Sequence, residues 1–204
     1  MRNMKGLSNI LFFLIAVIFI SCDIASGKKE AVDKVAEISF RYYNLENQGW
    51  KSKNYTQIVD DISFTATEVP LQYYLLKSNG KDALITVDSL YEKNKTERIF
   101  EFVFQEENEK DLLAEEFTGL DYKSSVTYMS FKVQKDFYVV TTFNDTIPCS
   151  GVLFEQSHKI VPYNKLMLFF SGINPEDKVQ LVYQDNLFKK GILKFRFKDP
   201  ILHL

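Results

Sequence analysis

The chain has 204 residues, 46% hydrophobic and 25% charged, an ordinary globular composition that excludes wholesale disorder and favours one domain. Its 18 Phe and 11 Tyr stand against only 8 Gly and 5 Pro, which excludes collagen-like and Pro/Gly-rich linker classes. A formal charge of −2 and only four arginines supply no global field for a polyanion, so no nucleic-acid partner is expected.

From the N-terminus, Arg2 and Lys5 form a short positive region ahead of Ile10 to Ile20, an unbroken apolar run of 11 residues. A membrane-spanning helix needs roughly 20 apolar residues, whereas the apolar core of a signal peptide covers about 7–15. Phe19-Ile20-Ser21-Cys22 follows, and it resembles the lipobox of bacterial lipoproteins: an apolar residue, a variable one, a small one, then Cys. Phe19 stands where that family usually has Leu. The resemblance covers residues 1–22 only. It implies cleavage before Cys22, diacylation of the Cys22 thiol and acylation, by palmitate or a similar chain, of the new amino group. Residues 1–21 are then a signal peptide, 22–34 a lipidated polar tether and 35–204 the globular domain, with the lipid bilayer as a partner through acylated Cys22. Each buried methylene adds about 0.8 kcal/mol, so two or three chains hold firmly. Loss of Arg2 and Lys5 takes the charge of the mature 183 residues from −2 to −4.

Asp23 after the Cys would favour inner-membrane retention under enterobacterial sorting. The abundance of Lys, Asn, Ile and Phe is instead similar to that of AT-rich Bacteroidetes genomes, where this rule does not hold. Surface-exposed lipoproteins of that phylum resemble one another in an acidic cluster after the Cys, which Asp23 to Lys29 lacks. The resemblance therefore implies the outer membrane of the cell envelope, on its periplasmic face rather than the surface.

Along the domain, period two dominates. Lys29 to Ala36 has weak helical character, and Ile38, Phe40 and Tyr42 then alternate with polar residues as a strand does. Ser78-Asn79-Gly80-Lys81 lies between the apolar runs Leu71–Leu76 and Ala83–Val87, and Asn-Gly suits a type I′ hairpin turn because both central residues need positive φ. Lys93-Asn94-Lys95 starts a reversal into Arg98–Phe104, completing a three-stranded meander. Glu106 to Phe117, with Leu112, Leu113 and Phe117 on one side, is the one clear helix. Phe137 to Phe143 is a strand fed by the turn Gln134-Lys135-Asp136. Leu166 to Phe170, apolar on both faces, reads as a central strand. Asn174-Pro175-Glu176-Asp177 separates it from Val179–Tyr183, and Leu193, Phe195 and Phe197 alternate with Lys194, Arg196 and Lys198 in the last strand. The expected fold is mainly β: a single antiparallel β-sandwich or barrel-like domain of about eight to ten strands with one short helix.

No constellation in the domain points to catalysis. With Cys22 acylated, Cys149 is the one remaining thiol, so no intrachain disulfide forms. A Cys149 nucleophile with His158 as base and Asp145 as orienter matches no cysteine-hydrolase spacing, and a small buried side chain is the simpler reading. His158 and His203 with one Cys cannot build a structural zinc site, and no phosphate-binding glycine loop or nucleophile elbow is present, so no metal and no cofactor are expected. The carboxylate pairs Asp60-Asp61, Glu106-Glu107 and Glu115-Glu116 read as solvated charges. Asp88-Ser89-Leu90 and Asp145-Thr146-Ile147 resemble the Bacteroidetes O-glycosylation pattern, making Ser89 and Thr146 candidate modification sites. The surplus aromatics Trp50, Tyr55, Tyr43 and Tyr74 are candidates for a stacking surface for a glycan or other ligand. Lys194, Arg196 and Lys198, helped by Lys189 and Lys190, form a cationic row that suits an anionic partner or blocks edge pairing. The expected function is a non-enzymatic, membrane-anchored envelope lipoprotein whose domain supports or binds an envelope component, protein or glycan. The alternatives are a glycan- or ligand-binding module using the exposed Tyr and Trp, and a Cys-dependent hydrolase.

Overall fold

The computed structural model describes residues 49–79, 86–156 and 161–198, together with 29, 32–37, 39–40, 43–44 and 47. Among these residues nine strands form two antiparallel sheets: β1 (Asn54–Val59), β2 (Ile62–Val69), β3 (Arg98–Glu106), β7 (Tyr163–Phe170) and β6 (Gly151–Glu155), in that spatial order, and β5 (Thr146–Pro148), β4 (Phe137–Thr141), β8 (Val179–Asp185) and β9 (Gly191–Phe197). Between them lies one core. Even-numbered residues of β2, β3 and β7, among them Phe64, Phe102 and Leu168, face odd-numbered residues of β4, β8 and β9. Phe102 packs edge-on against Phe137, Tyr183 and Phe195 at 5.0, 5.3 and 5.5 Å. Such pairs add to the hydrophobic gain of burying the rings.

The expectation of a mainly β sandwich or barrel with one short helix is corrected: the domain is mixed α/β. Helices α1 (Leu71–Asn79) and α2 (Val87–Asn94) form a further layer. Leu71, Tyr73, Tyr74, Leu75 and Tyr91 cover Val69, Ile99, Met167 and Phe169 on the outer face of the larger sheet. The expected strand at Leu71–Leu76 is therefore helical. Pro70 precedes the helix and its carbonyl accepts from Tyr74 N, closing the first turn. A six-residue run whose one polar side chain, Gln72, is itself buried fits either period, and the Asn79-Gly80 turn signal does not separate a strand from a helix before it. Gly80 and Lys81 lie outside the described residues, as do 83–85 of the expected second strand, whose last residue, Val87, opens α2. Of the expected strand Ile38–Tyr42, Ser39 and Phe40 are helical, and Ile38 and Tyr42 lie outside the described residues. Lys29 and 32–37 are helical too.

The helix expected over Glu106–Phe117 shrinks to α3 (Glu115–Thr118), ended by Gly119 at φ 66°. Glu106 instead closes β3, and its carboxylate accepts from Asn108 N and Lys110 N at 2.7 and 3.0 Å. Asp111 accepts from Leu113 N in the same loop, and local bonds of this kind compete with the helical ladder. A helix not expected from the sequence, α4 (Tyr122–Phe131), follows. Its interior holds Ser124, Ser125, Thr127 and Ser130, weak helix formers, and it starts because Asp121 accepts from Ser124 N at 3.0 Å as N-cap. No described helix is long and apolar enough to cross a membrane.

Candidate functional site

The smaller sheet ends at β9, and the larger one ends at β1. These two edges come together on one side of the domain, where Gln57 Nε2 donates to Lys194 O at 2.5 Å and the Tyr55 and Phe197 rings meet edge-on at 4.9 Å. Because Leu193, Phe195 and Phe197 are buried, the pleat turns Lys194 and Arg196 outward, and Lys198 beyond the strand is exposed as well. The register sets Arg196 opposite Gln180 and Lys194 opposite Val182 of β8.

Two adjoining hollows flank this row. One, of about 320 Å³, lies towards β4 and β8 and is lined in part by Thr142, Asn144 and Lys178. The other, of about 520 Å³, lies towards β1 and is lined in part by Tyr55, Thr56, Gln57 and Lys194. Gln180, Arg196 and Lys198 border both, so the hollows share one wall and make a two-lobed trough. Four cations and several neutral amides and hydroxyls line it, and no carboxylate stands among the described lining residues. Ion pairs elsewhere in the domain use other cations, such as Lys165 with Glu155 at 2.7 Å and Lys190 with Asp60 at 2.5 Å.

Two buried carboxylate clusters hold the trough in shape. Arg98 donates to Glu68 Oε1 at 2.5 Å and to the carbonyls of Pro175 and Asp177 at 2.8 and 3.2 Å, which fixes the turn leading to Lys178 and β8. Burial raises the Glu68 carboxyl, and the charge and hydrogen bond of Arg98 pull it the other way. At the far end of β8, Asp185 accepts from Leu187 N, Phe188 N, Lys190 N and the Tyr183 hydroxyl, setting the turn from which β9 takes its register. Nearby, Tyr128 and Asn186 donate to Asp136 at 2.6 and 2.7 Å. Burial pushes Asp136 up, and burial together with the neighbouring carboxylates raises Tyr128 and Tyr183. With both oxygens of Asp136 and Asp185, and Oε1 of Glu68, bound to the protein's own donors, the clusters read as structural supports. No group of three or more metal-ligating side chains occurs among the described residues.

The four aromatic candidates are not brought together. Trp50 is 5% exposed and packs against Tyr73 at 4.7 Å under the α1 layer, its indole N–H buried without a hydrogen-bond partner among the described residues. Tyr74 is half-buried against Phe169, on the same outer face of the larger sheet. Tyr43 is exposed, and Tyr55 alone of the four lines the trough. Ser89 is exposed on α2 and Thr146 is exposed at the start of β5. Cys149 is buried, its thiol donating to the carbonyls of Gly151 and Phe169, and burial raises its pKa. Cys22, His158 and His203 lie outside the described residues. Of the carboxylate pairs read as solvated, Glu106 is buried, and the bonds from Lys110 N and Asn108 hold its pKa below the usual range. Sequence reasoning missed Lys178, Gln180, Thr56 and Gln57. Their membership depends on β8 lying beside β9 and on β1 reaching it from the other sheet, neither of which leaves a local signal.

No family model matches the chain, and no curated protein matches it. Among solved structures, a DUF4426 family protein from Pseudomonas aeruginosa PAO1 is similar at 11% identity and a TM-score of 0.36, over 70% of this chain and 92% of its own. A novel protein of unknown function from Burkholderia pseudomallei K96243 is similar at 8% identity and a TM-score of 0.37, over 83% of this chain and 90% of its own. Neither likeness is close enough to assign a property to this chain.

Proposed function

We propose that the chain is a lipid-anchored protein of a bacterial cell envelope whose domain binds an anionic envelope component and catalyses no reaction. The anchor is Cys22, supported by the lipobox-like Phe19-Ile20-Ser21-Cys22 behind its 11-residue apolar run, and the location is the periplasmic face of the outer membrane. The observation that carries the binding function is the trough, in which Lys178, Lys194, Arg196 and Lys198 meet no described lining carboxylate. Unneutralised like charges held together repel one another, and an anion relieves that repulsion. A nucleophilic role for Cys149 is disfavoured because its thiol is buried and directed at two carbonyls, the opposite of an activated thiolate. The anchor is tested by metabolic labelling with a clickable fatty acid in a bacterial host. The wild-type chain takes up label and sediments with membranes. Equal labelling of Cys22→Ser would overturn it.

A further inference from the structure

We infer that the occupant of the trough is a carboxylate-bearing linear glycan, an inference that rests on the anion-binding reading above. Four features of the site point to it. Lys194, Arg196 and Lys198 recur every second residue, so their positions step along the site by about 7 Å and span roughly 14 Å, a linear array that suits a repeating anion. The planar fork of Arg196 accommodates a carboxylate with two parallel hydrogen bonds. Between the cations stand neutral amides and hydroxyls, Gln57, Gln180, Asn144, Thr56 and Thr142, which both donate to and accept from sugar hydroxyls. The Tyr55 ring adds an apolar wall.

Two other anionic partners fit less well. A bilayer surface offers headgroup anions alone, whereas here neutral amides, hydroxyls and the Tyr55 ring stand beside the cations and give sugar hydroxyls and ring faces more to bind. An acidic peptide added as a strand needs the free edge of β9, and there Gln57 already occupies the carbonyl of Lys194 at 2.5 Å.

The test uses the full chain carrying Cys22→Ser, purified in non-ionic detergent, so that binding is read without the acyl chains. Titration calorimetry compares hexagalacturonate, hexaglutamate and maltohexaose, and sedimentation measures capture by phosphatidylglycerol vesicles. Hexagalacturonate is expected to bind at least about tenfold more tightly than hexaglutamate, since only the sugar rings also engage the neutral side chains. Maltohexaose should bind more weakly still. The double variant Arg196→Gln/Lys198→Gln should lose at least about tenfold in affinity for hexagalacturonate. Lys123→Gln/Lys132→Gln, which removes the same charge on and beside α4, should bind as the parent does. Gln180→Ala should weaken the glycan about fivefold without altering the salt dependence, because it removes a hydrogen bond and no charge. Equal binding of hexaglutamate, equal loss in the α4 variant, or no binding of hexagalacturonate overturns the inference. Vesicle capture that depends on Arg196 and Lys198 while hexagalacturonate fails would assign the trough to a membrane surface instead. Fatty-acid labelling of Cys22 is read separately, so failure of the anchor and failure of the glycan reading are distinguished.

Discussion

Phe195 and Arg196 are neighbours on β9 with opposite surroundings, which makes them a direct test of how the trough is built. Phe195 is 1% exposed, pairs across the ladder with Leu181 and lies edge-on to Phe102 at 5.5 Å. Truncating a buried Phe to Ala costs about 3–5 kcal/mol, of which an edge-to-face ring pair supplies about 0.5–1.5 kcal/mol. In a domain of this size each kcal/mol moves the melting temperature by about 2–4 °C, so Phe195→Ala should melt roughly 6–20 °C below its parent. Arg196 is exposed, and no ion pair joins it to a described residue. Arg196→Ala should change stability by no more than about 0.5 kcal/mol, a shift within about 2 °C. Matched thermal melts by circular dichroism on the Cys22→Ser chain decide the matter. Equal shifts would refute the amphipathic-strand account, and a larger shift for Arg196 would mean that its charge is paired and buried, which removes the trough.

Cys149→Ala should cost only about 1 kcal/mol, and the native thiol should react with iodoacetamide at pH 8 far more slowly than after unfolding in urea; fast native alkylation would contradict the buried, raised thiol. The Glu106 carboxyl titrates below its unfolded value, so the folded state binds fewer protons than the unfolded one in that window, and its stabilising contribution is present above about pH 4.3 and lost as pH falls through the folded value. Glu106→Gln should therefore lower the urea midpoint at pH 7, with the gap to wild type narrowing by pH 3. A gap that widens in acid would reverse the sign and refute the hydrogen-bonded loop. Arg98→Met should be among the most damaging substitutions, at about 3–5 kcal/mol, because it leaves Glu68 buried without its partner and frees the turn carbonyls; a urea midpoint near wild type would contradict the clamp.

The strands that met the core on one face were legible from alternation alone. Leu193, Phe195 and Phe197 write period two plainly because Lys194 and Arg196 stand between them, and the three rings Phe100, Phe102 and Phe104 keep the period although Val103 as well as Glu101 lies between them. Where both faces are covered the pattern disappears. Leu71 to Leu76 carries apolar residues at nearly every position, since α1 packs on a sheet, and nothing local separates that from a buried strand. The α4 helix was concealed the other way, by serines whose propensity is weak, although Asp121 followed three residues later by Ser124 is a readable cap. Of the trough, the cations on β9 were visible as an alternating row. Lys178, Gln180 and Gln57 were not, because strand order in a sheet is a non-local choice that propensities do not encode.

The order β1-β2-β3-β7-β6 also sets a hazard in time. β3 pairs with β2 as soon as both are made, but its other partner, β7, begins only at Tyr163. Until then the Ile99-Phe100-Glu101-Phe102-Val103-Phe104 segment presents an open row of amide and carbonyl groups, together with aromatic rings that have no second sheet to cover them. Chains emerging from the ribosome make β3 well before β7, and long-range pairings of this kind form slowly. Glu101, which in the finished domain lies 3.6 Å from Lys165 of β7, is the one charge inside the run. Before β7 arrives it has no such partner, and a buried carboxylate is the cost of any wrong strand docking there, so this residue guards the nascent edge before it serves the finished sheet.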